Sequence, residues 1–308
     1  MTPEVTAALN AAGLDPADTE TVVRRALDED LAYGPDVTSA ATAVGVVITG
    51  DVVAREHGVL AGLPVALAVL DAAGADSGQT REVGRGRLVG PARLVGQALR
   101  ADGDRIAPGD AVLRVSGPAV AVLGIERTML NLLTHLSGIA TATRAWADAV
   151  AGTGAVIRDT RKTTPGLRQL EKYAVRCGGG ANHRMGLGDA ALIKDNHVAA
   201  AGGVARAIEA VRAAAPGVPL EVECDTLAQV RESLEAGARF ILLDNMDLAG
   251  LQAAVAVARE YPDVRLEASG GLRLETARAV ASTGVDYLAV GALTHSSRAL
   301  DLGLDLTG

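Results

Sequence analysis

The chain has 308 residues and a formal net charge of −8, with 49% hydrophobic but only 2% aromatic residues. Its length allows one large or two modest domains, whose core must be packed mainly with alanine, valine, leucine and isoleucine. The acidic balance argues against nucleic acid as the main partner, because binding to a phosphate backbone requires a broad basic face. No apolar run reaches the roughly 18 residues of a membrane span. Two cysteines without a CxxC pair are typical of a reduced, cytoplasmic protein.

The first part of the chain, residues 1–136, predicts an N-terminal α+β sandwich domain. Residues 21–31 predict an opening helix. Short strand-like runs, separated by Gly, Pro and Asp, follow at residues 46–53, 93–99 and 111–115. Residues 125–149 predict long helical segments, interrupted at Ser137–Gly138, that bridge to the next domain.

From residue 154 onward, short β-branched or leucine-rich runs alternate with alanine-rich stretches of helical period. The runs are residues 155–158, 191–194, 220–223, 240–244, 264–268 and 287–291. The helical stretches between the later runs are residues 204–215, 227–236, 248–260 and 274–283. Such alternation indicates parallel strands joined by crossover helices.

The predicted fold class is therefore α/β, with an incomplete (β/α) barrel of about six parallel strands over residues 137–296. An open doubly wound sheet would give a similar pattern and would place its site at the same strand ends. The tail, residues 297–308, is too short for a unit of its own, and we expect it to pack back on the N-terminal domain.

The three lysines of the chain all lie within residues 159–197, and arginine is the strong cation everywhere else. Arginine offers a planar fork and lysine a compact point charge, so the two are not interchangeable. This window carries seven basic and four acidic residues in an otherwise acidic chain. The charge distribution predicts a pocket for a polyanion.

Three segments of this window carry candidate cations, two of them where predicted strands end. Arg161 and Lys162 are adjacent, so on an extended chain they point to opposite sides and contact different ligand groups, unless both are solvated surface charges. His183 and Arg184 follow three glycines, which suits backbone N–H groups that bind an anion, although a flexible loop would look similar. Lys194 ends an apolar strand, where an unpaired charge is costly, so a functional role is favoured.

Carboxylates and small residues end the later strands. Glu221 and Glu223 share one strand face, and Asp244 ends the next strand. Carboxylates at neighbouring strand ends suit ribose hydroxyls, Mg²⁺ or a developing positive charge, whereas a salt-bridged barrel interior is the alternative. The last two strands lead into EASGGL and VGALTHS, where barrel enzymes hold phosphate on backbone N–H groups. The five histidines form no HxH or HxxxH pair, which argues against a dedicated zinc site.

Taken together, these segments resemble the quinolinate phosphoribosyltransferase family over roughly residues 22–295. The resemblance is carried by ERTMLNLLTHLSGIAT, DTRKTTPGLR, EKYAVRCGGGANHRMGLGDAALIKDNH, EVEC, LLDNM, EASGG and VGALTHS, and by the early GPDVTS segment. The family transfers phosphoribosyl from phosphoribosyl pyrophosphate to quinolinate, with release of pyrophosphate and CO₂ in the synthesis of nicotinate mononucleotide. Both substrates are strongly anionic, which accounts for the cationic window.

The resemblance implies a role for individual residues. Arg161, His183, Arg184 and Lys194 would bind the quinolinate carboxylates, with Arg127 supplied by the second subunit of a homodimer or higher oligomer. Lys162 would serve the pyrophosphate, and Glu223 and Asp244 the ribose hydroxyls and Mg²⁺, so that the catalytic set is Lys162, Lys194, Glu223 and Asp244. The phosphate-side residues implied are Thr160, Ser269, Gly270, Gly271, Val290, Gly291, Ala292 and His295. No nucleic-acid or membrane partner is expected.

Two other interpretations remain open from the sequence. A paralogous protein linked to molybdate transport shares the fold, and its substrate could differ. The chain could also be an inert sensor of a phosphate ligand on a barrel scaffold. A set of four cations for a diacid favours quinolinate, and the pair Glu223 and Asp244 argues against simple anion binding.

Overall fold

The structure, a computed structural model, describes residues 1–76 and 94–307. It divides into two compact units. The first comprises Met1–Ala142, Thr164–Gly178 and Ser296–Gly308, and the second Thr143–Thr163 and Gly179–His295. The segment 164–178 thus groups with the first unit, although the sequence-based limits 1–136, 137–296 and 297–308 assign it to the barrel. Those limits stay predictions.

The described residues up to Cys177 form six helices. They are α1 Pro3–Ala11, α2 Pro16–Leu31, α3 Val37–Thr42, α4 Leu63–Asp76, α5 Ala119–Ala149 and α6 Arg168–Cys177. The starts of α2 and α3 follow from their capping residues, because the Asp15 and Asp36 carboxylates each accept two backbone N–H groups of the following turn. These bonds, above all those from Ser39, lower the pKa of Asp36.

The described strands of the first unit form two antiparallel sheets. The strands are β1 Val47–Ala54, β2 Gly58–Val59, β3 Val95–Ala98, β4 Arg105–Ile106 and β5 Ala111–Pro118, and β2 and β4 pair with each other in a sheet of their own. β1 pairs with β5 and with the C-terminal strand Leu302–Leu306, while β3 pairs with the other side of β5. Arg93, the first residue of the predicted strand 93–99, lies outside the described residues.

The long helix α5 corrects one expectation. The sequence predicted an interruption at Ser137–Gly138, but the helix runs without a break from Ala119 to Ala149. Ser137 Oγ exchanges 3.1 Å hydrogen bonds with the N–H and C=O groups of Ala61, and a Cβ on Gly138 would lie 2.1 Å from the carbonyl oxygen of Arg298. The small residues therefore serve a close approach of neighbouring backbone rather than a break in the helix.

The second unit contains six parallel strands. They are β6 Val156–Arg158, β7 Ala191–Ile193, β8 Leu220–Cys224, β9 Phe240–Asp244, β10 Arg265–Ser269 and β11 Tyr287–Ala289. The hydrogen-bonded order is β6-β11-β10-β9-β8-β7, so each strand from β7 to β11 lies beside its successor. No reversal of strand order occurs in this sheet, which excludes the doubly wound alternative and confirms the incomplete barrel.

Short helices follow the barrel strands. They are α7 Asp195–Ala201, α8 Val204–Ala214, α9 Leu227–Glu235, α10 Leu248–Ala258, α11 Ala277–Ala281 and α12 Ala292–His295. α9 begins with a capping box between Thr226 and Gln229. The single helix predicted over 274–283 is instead a 3₁₀ turn, Leu274–Thr276, followed by α11. Across the described ranges, no helix is long and apolar enough to cross a bilayer.

Strand register separates two faces of the barrel sheet. Residues paired in register point to the same face. One face, represented by Ile157, Val222, Ile241 and Leu266, is almost fully buried and apolar. The other face carries the polar residues Arg158, Lys194, Glu221, Glu223, Asp244, Glu267 and Ser269, on the strands or directly after them.

Candidate active site

Lys194 and Glu223 form an ion pair at the carboxyl ends of β7 and β8. Lys194 is the residue before α7, and its backbone N–H donates to His197 Nδ1 at 2.9 Å. The Lys194 side chain is 45% exposed and that of Glu223 14%. The pair therefore lies at the mouth of the barrel, where an anionic ligand can approach the ammonium group.

A second group of predicted residues meets around Gly291. A Cβ at Gly291 would lie 3.0 Å from Lys162 Cδ, 3.4 Å from Thr160 Oγ1 and 3.5 Å from His295 Nε2. The backbone is held here because the Lys162 N–H donates to Thr160 Oγ1 at 3.0 Å and the Thr294 hydroxyl donates to the Lys162 carbonyl at 2.8 Å. The absence of a side chain at Gly291 keeps this cradle open beside a lysine.

The remaining predicted phosphate-side residues lie where β10 and β11 end. Gly270 and Gly271 follow β10 with φ of 86° and 59°, which favours glycine at both positions. The Val290 N–H donates to the Arg158 carbonyl at 2.9 Å, and Ala292 begins α12.

Arg161 and Arg184 lie close enough for their positive charges to interact, and the carboxylates of Asp189 and Glu221 partly offset this repulsion at Arg184. Burial and then the charge of Arg161 lower the pKa of Arg184. Arg184 Nη1 donates to the Ala190 carbonyl at 2.9 Å, whereas Arg161 Nε is buried and has no hydrogen-bond partner among the described residues. Burying a donor of this kind is costly unless a ligand accepts a hydrogen bond from it. The arrangement fits a bound carboxylate or phosphate.

His183 is held by both of its ring nitrogens. The Arg184 N–H donates to Nδ1 at 2.7 Å, so in this arrangement the proton of the neutral ring lies on Nε2. Nε2 is 2.8 Å from Glu221 Oε2 and 3.5 Å from Glu267 Oε1. Asp159 Oδ1 also holds the backbone of His183, because it accepts a 2.8 Å hydrogen bond from the His183 N–H.

Behind His183 lies a buried charged cluster that the sequence analysis did not assign to the site. Arg158 forms an ion pair with Glu267, and its guanidinium lies 5.2 and 4.8 Å from the ring centroids of Phe240 and Tyr287. Burial, followed by the nearby charge of Glu221, raises the pKa of Glu267 to about 7. Burial likewise raises the pKa of Glu221 to about 7. Arg158 thus lies beside two carboxyl groups whose pKa values are both raised by burial.

The nitrogen and oxygen atoms of His183, Glu221 and Glu267 lie within 4.8 Å of one another, close enough to hold a metal ion. A metal on Nε2 requires the ring proton on Nδ1, yet Nδ1 accepts from the Arg184 N–H. Arg158 already supplies a positive charge to the carboxylates. The geometry therefore fits an internal hydrogen-bond network better than a metal site.

The structure thus brings most of the predicted residues to one end of the barrel, but not all of them. Arg127 lies on α5 in the first unit, where it is exposed. Lys172, the third lysine of the cationic window, is fully buried on α6 in the first unit. Glu267 was missed by the sequence-based prediction, although a signal for it exists. It lies two residues before Ser269 on one strand, so both side chains point to the same face of the sheet. The observed register agrees, because Glu267 and Glu223 both pair with Leu242.

Cations and carboxylates at the carboxyl ends of an incomplete parallel barrel define an enzyme for anionic substrates. The family description "Quinolinate phosphoribosyl transferase, C-terminal domain" matches residues 139–305, and the corresponding N-terminal description matches residues 36–137. The chain therefore belongs to the quinolinate phosphoribosyltransferase family, whose members are pentosyltransferases. This confirms the resemblance inferred from the motifs.

Individual relatives and solved structures support the same family. The chain is 56% identical over 288 residues to the nicotinate-nucleotide pyrophosphorylase [carboxylating] of Mycobacterium leprae, covering 92% of this chain and 95% of the relative. It is 47% identical to a probable enzyme of the same name from Bacillus subtilis over 68% of this chain and 72% of the relative. The solved structure of NadC from Streptococcus pyogenes matches with a TM-score of 0.84 at 38% identity, covering 96% and 98% of the two chains. The Francisella tularensis nicotinate-nucleotide pyrophosphorylase matches with a TM-score of 0.83 at 32% identity, with the same coverage.

Proposed function

We propose that this chain transfers the phosphoribosyl group of phosphoribosyl pyrophosphate to quinolinate, with loss of CO₂, to give nicotinate mononucleotide and pyrophosphate. The observation that carries the proposal is the buried Nε of Arg161, which has no hydrogen-bond partner among the described residues, beside Arg184 in a member of this family. A diacid offers carboxylate oxygens that can accept charge-assisted hydrogen bonds from this cationic pair. The same property argues against the molybdate-linked paralogue as the better description.

The quinolinate carboxylates would be bound by Arg161, Arg184 and Lys194, with His183 as the fourth residue of the group. Lys194 already holds Glu223, so a substrate carboxylate at its ammonium group would place the reacting ring beside that carboxylate. Charge-assisted contacts of this kind orient the pyridine nitrogen toward the ribose, which is the main requirement of the transfer step.

The second substrate would lie between the carboxylates and the glycine turns. Lys162 serves the pyrophosphate, while Thr160, Ser269, Gly270, Gly271, Val290, Gly291, Ala292 and His295 receive the 5′-phosphate. Backbone N–H groups at glycine turns suit phosphate oxygens, and the open cradle at Gly291 leaves room for them.

Mg²⁺ is the cofactor that we propose for the pyrophosphate side. Glu223 and Asp244 offer hard oxygen donors from neighbouring strands, and a hexacoordinate Mg²⁺ commonly takes one or two protein carboxylates with the rest from phosphates and water. When bound, the ion would supply charge to neutralise the departing pyrophosphate.

The reaction then follows from the charges around the ribose. The bond from ribose C1 to pyrophosphate breaks, and the positive charge that develops at C1 is stabilised by Glu223 and Asp244. The pyridine nitrogen forms the new bond to C1. The positively charged ring then stabilises the electron pair left when the adjacent carboxylate departs as CO₂, and a proton takes its place. Lys162 and Lys194 act by position and charge, and no side chain serves as a covalent nucleophile.

We also propose that the protein is a cytoplasmic homodimer whose subunits share their active sites. The first unit exposes apolar side chains between α2 and β1, with Tyr33 fully exposed and Val37, Val44 and Val47 about three-quarters exposed. A concentration of exposed apolar groups of this kind is typical of an interaction surface. Arg127 would reach the partner's site across a two-fold interface.

The test of the activity is release of pyrophosphate and ¹⁴CO₂ from quinolinate labelled in its 2-carboxylate, with phosphoribosyl pyrophosphate and Mg²⁺. We expect equal amounts of both products and of nicotinate mononucleotide. Nicotinate, which lacks the 2-carboxylate, is the control substrate and should react far more slowly. Binding of both substrates without any product would support the inert sensor instead.

A further inference from the structure

Asn245 combines three features at the end of β9 that no assigned role explains. It is one of two non-glycine residues in the described ranges with a positive φ, at 52°. Its Nδ2 donates to Asp244 Oδ2 at 2.6 Å. Its backbone N–H donates to the Ser269 carbonyl at 2.9 Å, beyond the last register pair between Asp244 and Ser269.

The left-handed backbone turns the chain sharply after Asp244 and strains most non-glycine residues, although asparagine tolerates it better than others. This turn brings the Asn245 amide back onto the carboxylate that precedes it. The hydrogen bond to Oδ2 fixes the rotation of the Asp244 carboxylate and leaves Oδ1 without a hydrogen bond from the described residues. Oδ1 thus keeps its full capacity to accept a hydrogen bond from a ligand or to bind a cation.

The same side chain contacts the neighbouring glycine turn. Gly270 has φ of 86°, and a Cβ there would lie 2.2 Å from Asn245 Oδ1 and 2.8 Å from the Asn245 backbone nitrogen. Asn245 therefore fills the space that a side chain at Gly270 would need. It joins the carboxylate at the end of β9 to the glycine turn at the end of β10 through one amide.

We infer that Asn245 is a positioning residue for the phosphoribosyl substrate: its amide orients the Asp244 carboxylate toward the ribose and keeps the Ser269–Gly270 turn in register with it. The inference rests on the proposed role of Asp244. Asn245 lies beside the ribose and phosphate side of the site, so its loss should affect phosphoribosyl pyrophosphate and leave quinolinate binding unchanged.

The test separates the backbone from the amide. Asn245→Gly accepts the left-handed backbone without strain but removes the amide, while Asn245→Ala removes the amide and keeps the strain. A charge-assisted hydrogen bond supports an expected loss of about tenfold in affinity for Mg²⁺–phosphoribosyl pyrophosphate in both variants. The Kd from calorimetry and the KM should rise together, and the quinolinate KM should change less than twofold.

The chain offers a matched control in Asp263, the other non-glycine residue with a positive φ among those described, at 60°. It lies in the turn before β10, at the opposite end of the strand from Ser269. Asp263→Gly and Asp263→Ala should shift the melting temperature as the corresponding Asn245 variants do, with unchanged kinetics. Loss of substrate affinity only in the Asn245 pair would therefore report the amide and not the turn.

Asn245→Asp provides the third arm. It keeps a residue that tolerates the left-handed backbone but places a second carboxylate against Asp244, so we expect a larger loss of substrate affinity than in Asn245→Gly. Wild-type Kd and KM in Asn245→Gly would overturn the inference. Asp244→Asn decides which idea has failed: an unchanged Kd there contradicts the role of Asp244 itself, whereas a raised Kd with normal Asn245→Gly contradicts the role of Asn245 alone.

Discussion

The cost of burying the cationic pair is clearest at Arg161, whose buried Nε has no acceptor in the part of the chain that the structure describes. Arg161→Ala and Arg184→Ala should each raise the quinolinate KM by about ten- to a hundredfold, corresponding to about 1.5–3 kcal/mol for a charge-assisted contact. Initial rates at varied quinolinate measure this effect. Arg265→Ala is the control, because Arg265 is an exposed arginine at the amino end of the same sheet, paired with Asp286. Near-normal kinetics in both site variants would make Arg161 and Arg184 structural.

Glu267 gives a prediction on pH. Its folded-state pKa is raised to about 7, above the ordinary carboxyl value of 4.5. Between pH 4.5 and pH 7 the native protein binds more protons than the unfolded chain. The contribution of Glu267 to the free energy of unfolding is therefore fully present below pH 4.5 and is lost as pH rises through 7. Glu267→Gln removes this titration. Its stability relative to wild type should improve by on the order of 1–2 kcal/mol between pH 5 and 8, measured by urea unfolding.

The control for this prediction is Glu267→Ala. It also removes the titration but leaves Arg158 without its partner, so it should be destabilised throughout the range. If the difference between Glu267→Gln and wild type is the same at pH 5 and pH 8, then Glu267 is ionised across this interval and the proton is not held in the cluster.

At the scale of the secondary-structure elements, the sequence predicted the strands of the barrel well, since β9 was placed at 240–244 as observed. Parallel strands covered on both faces are near-continuous apolar runs, as β9 is from Phe240 to Leu243, and such runs are easy to locate. The interruption expected in α5 was wrong. Glycine has a low helix propensity, so a glycine that breaks a helix and one that allows close packing look the same in sequence. Gly138 allows close packing, because the Arg298 backbone approaches it, and a contact so distant in sequence leaves no local signal.

This explanation of α5 is testable with two glycines of the same helix. A Cβ at Gly138 would meet the Arg298 carbonyl oxygen at 2.1 Å, so Gly138→Ala should destabilise the protein by about 1–3 kcal/mol. Outside its own helix backbone, no atom of the described residues lies within 4 Å of a Cβ at Gly124, and Gly124→Ala should stabilise the protein by about 0.5–1 kcal/mol. Thermal and urea unfolding measure both. A stabilising Gly138→Ala would show that the two backbones can separate without cost.

The candidate site was predictable in part, for a physical reason. Charge in an acidic chain identified Arg161, Lys162, Arg184 and Lys194, because strong cations at strand ends are distinct in sequence. Asn245 was missed, since its role depends on a dihedral angle and a 2.6 Å contact to its neighbour. The prediction that the whole lysine-bearing window, residues 159–197, forms one polyanion pocket included too much. Lys172 lies buried in the first unit and not at a strand end of the barrel.

At the scale of the whole molecule, the remaining question is which subunit supplies Arg127. This residue is exposed on α5, in the first unit, whereas Lys194 and Arg184 lie in the barrel unit. In an isologous dimer each subunit would donate its Arg127 to its partner. Inactive Arg127→Ala protein mixed with inactive Lys194→Ala protein should then regain activity under subunit exchange. Random pairing sets the ceiling at about a quarter of wild type, since about half of the dimers carry one intact site.

A matched mixture shows whether the recovery is specific. Lys194→Ala and Arg184→Ala both damage the barrel unit, so every mixed dimer keeps a defect in each of its two sites and no activity should return. Exchange itself is followed by fluorescence energy transfer between differently labelled subunits, so that a silent mixture is interpretable. If exchange is complete and the Arg127→Ala mixture stays as inactive as this control, Arg127 acts within its own subunit or outside the site, and the shared active site is excluded.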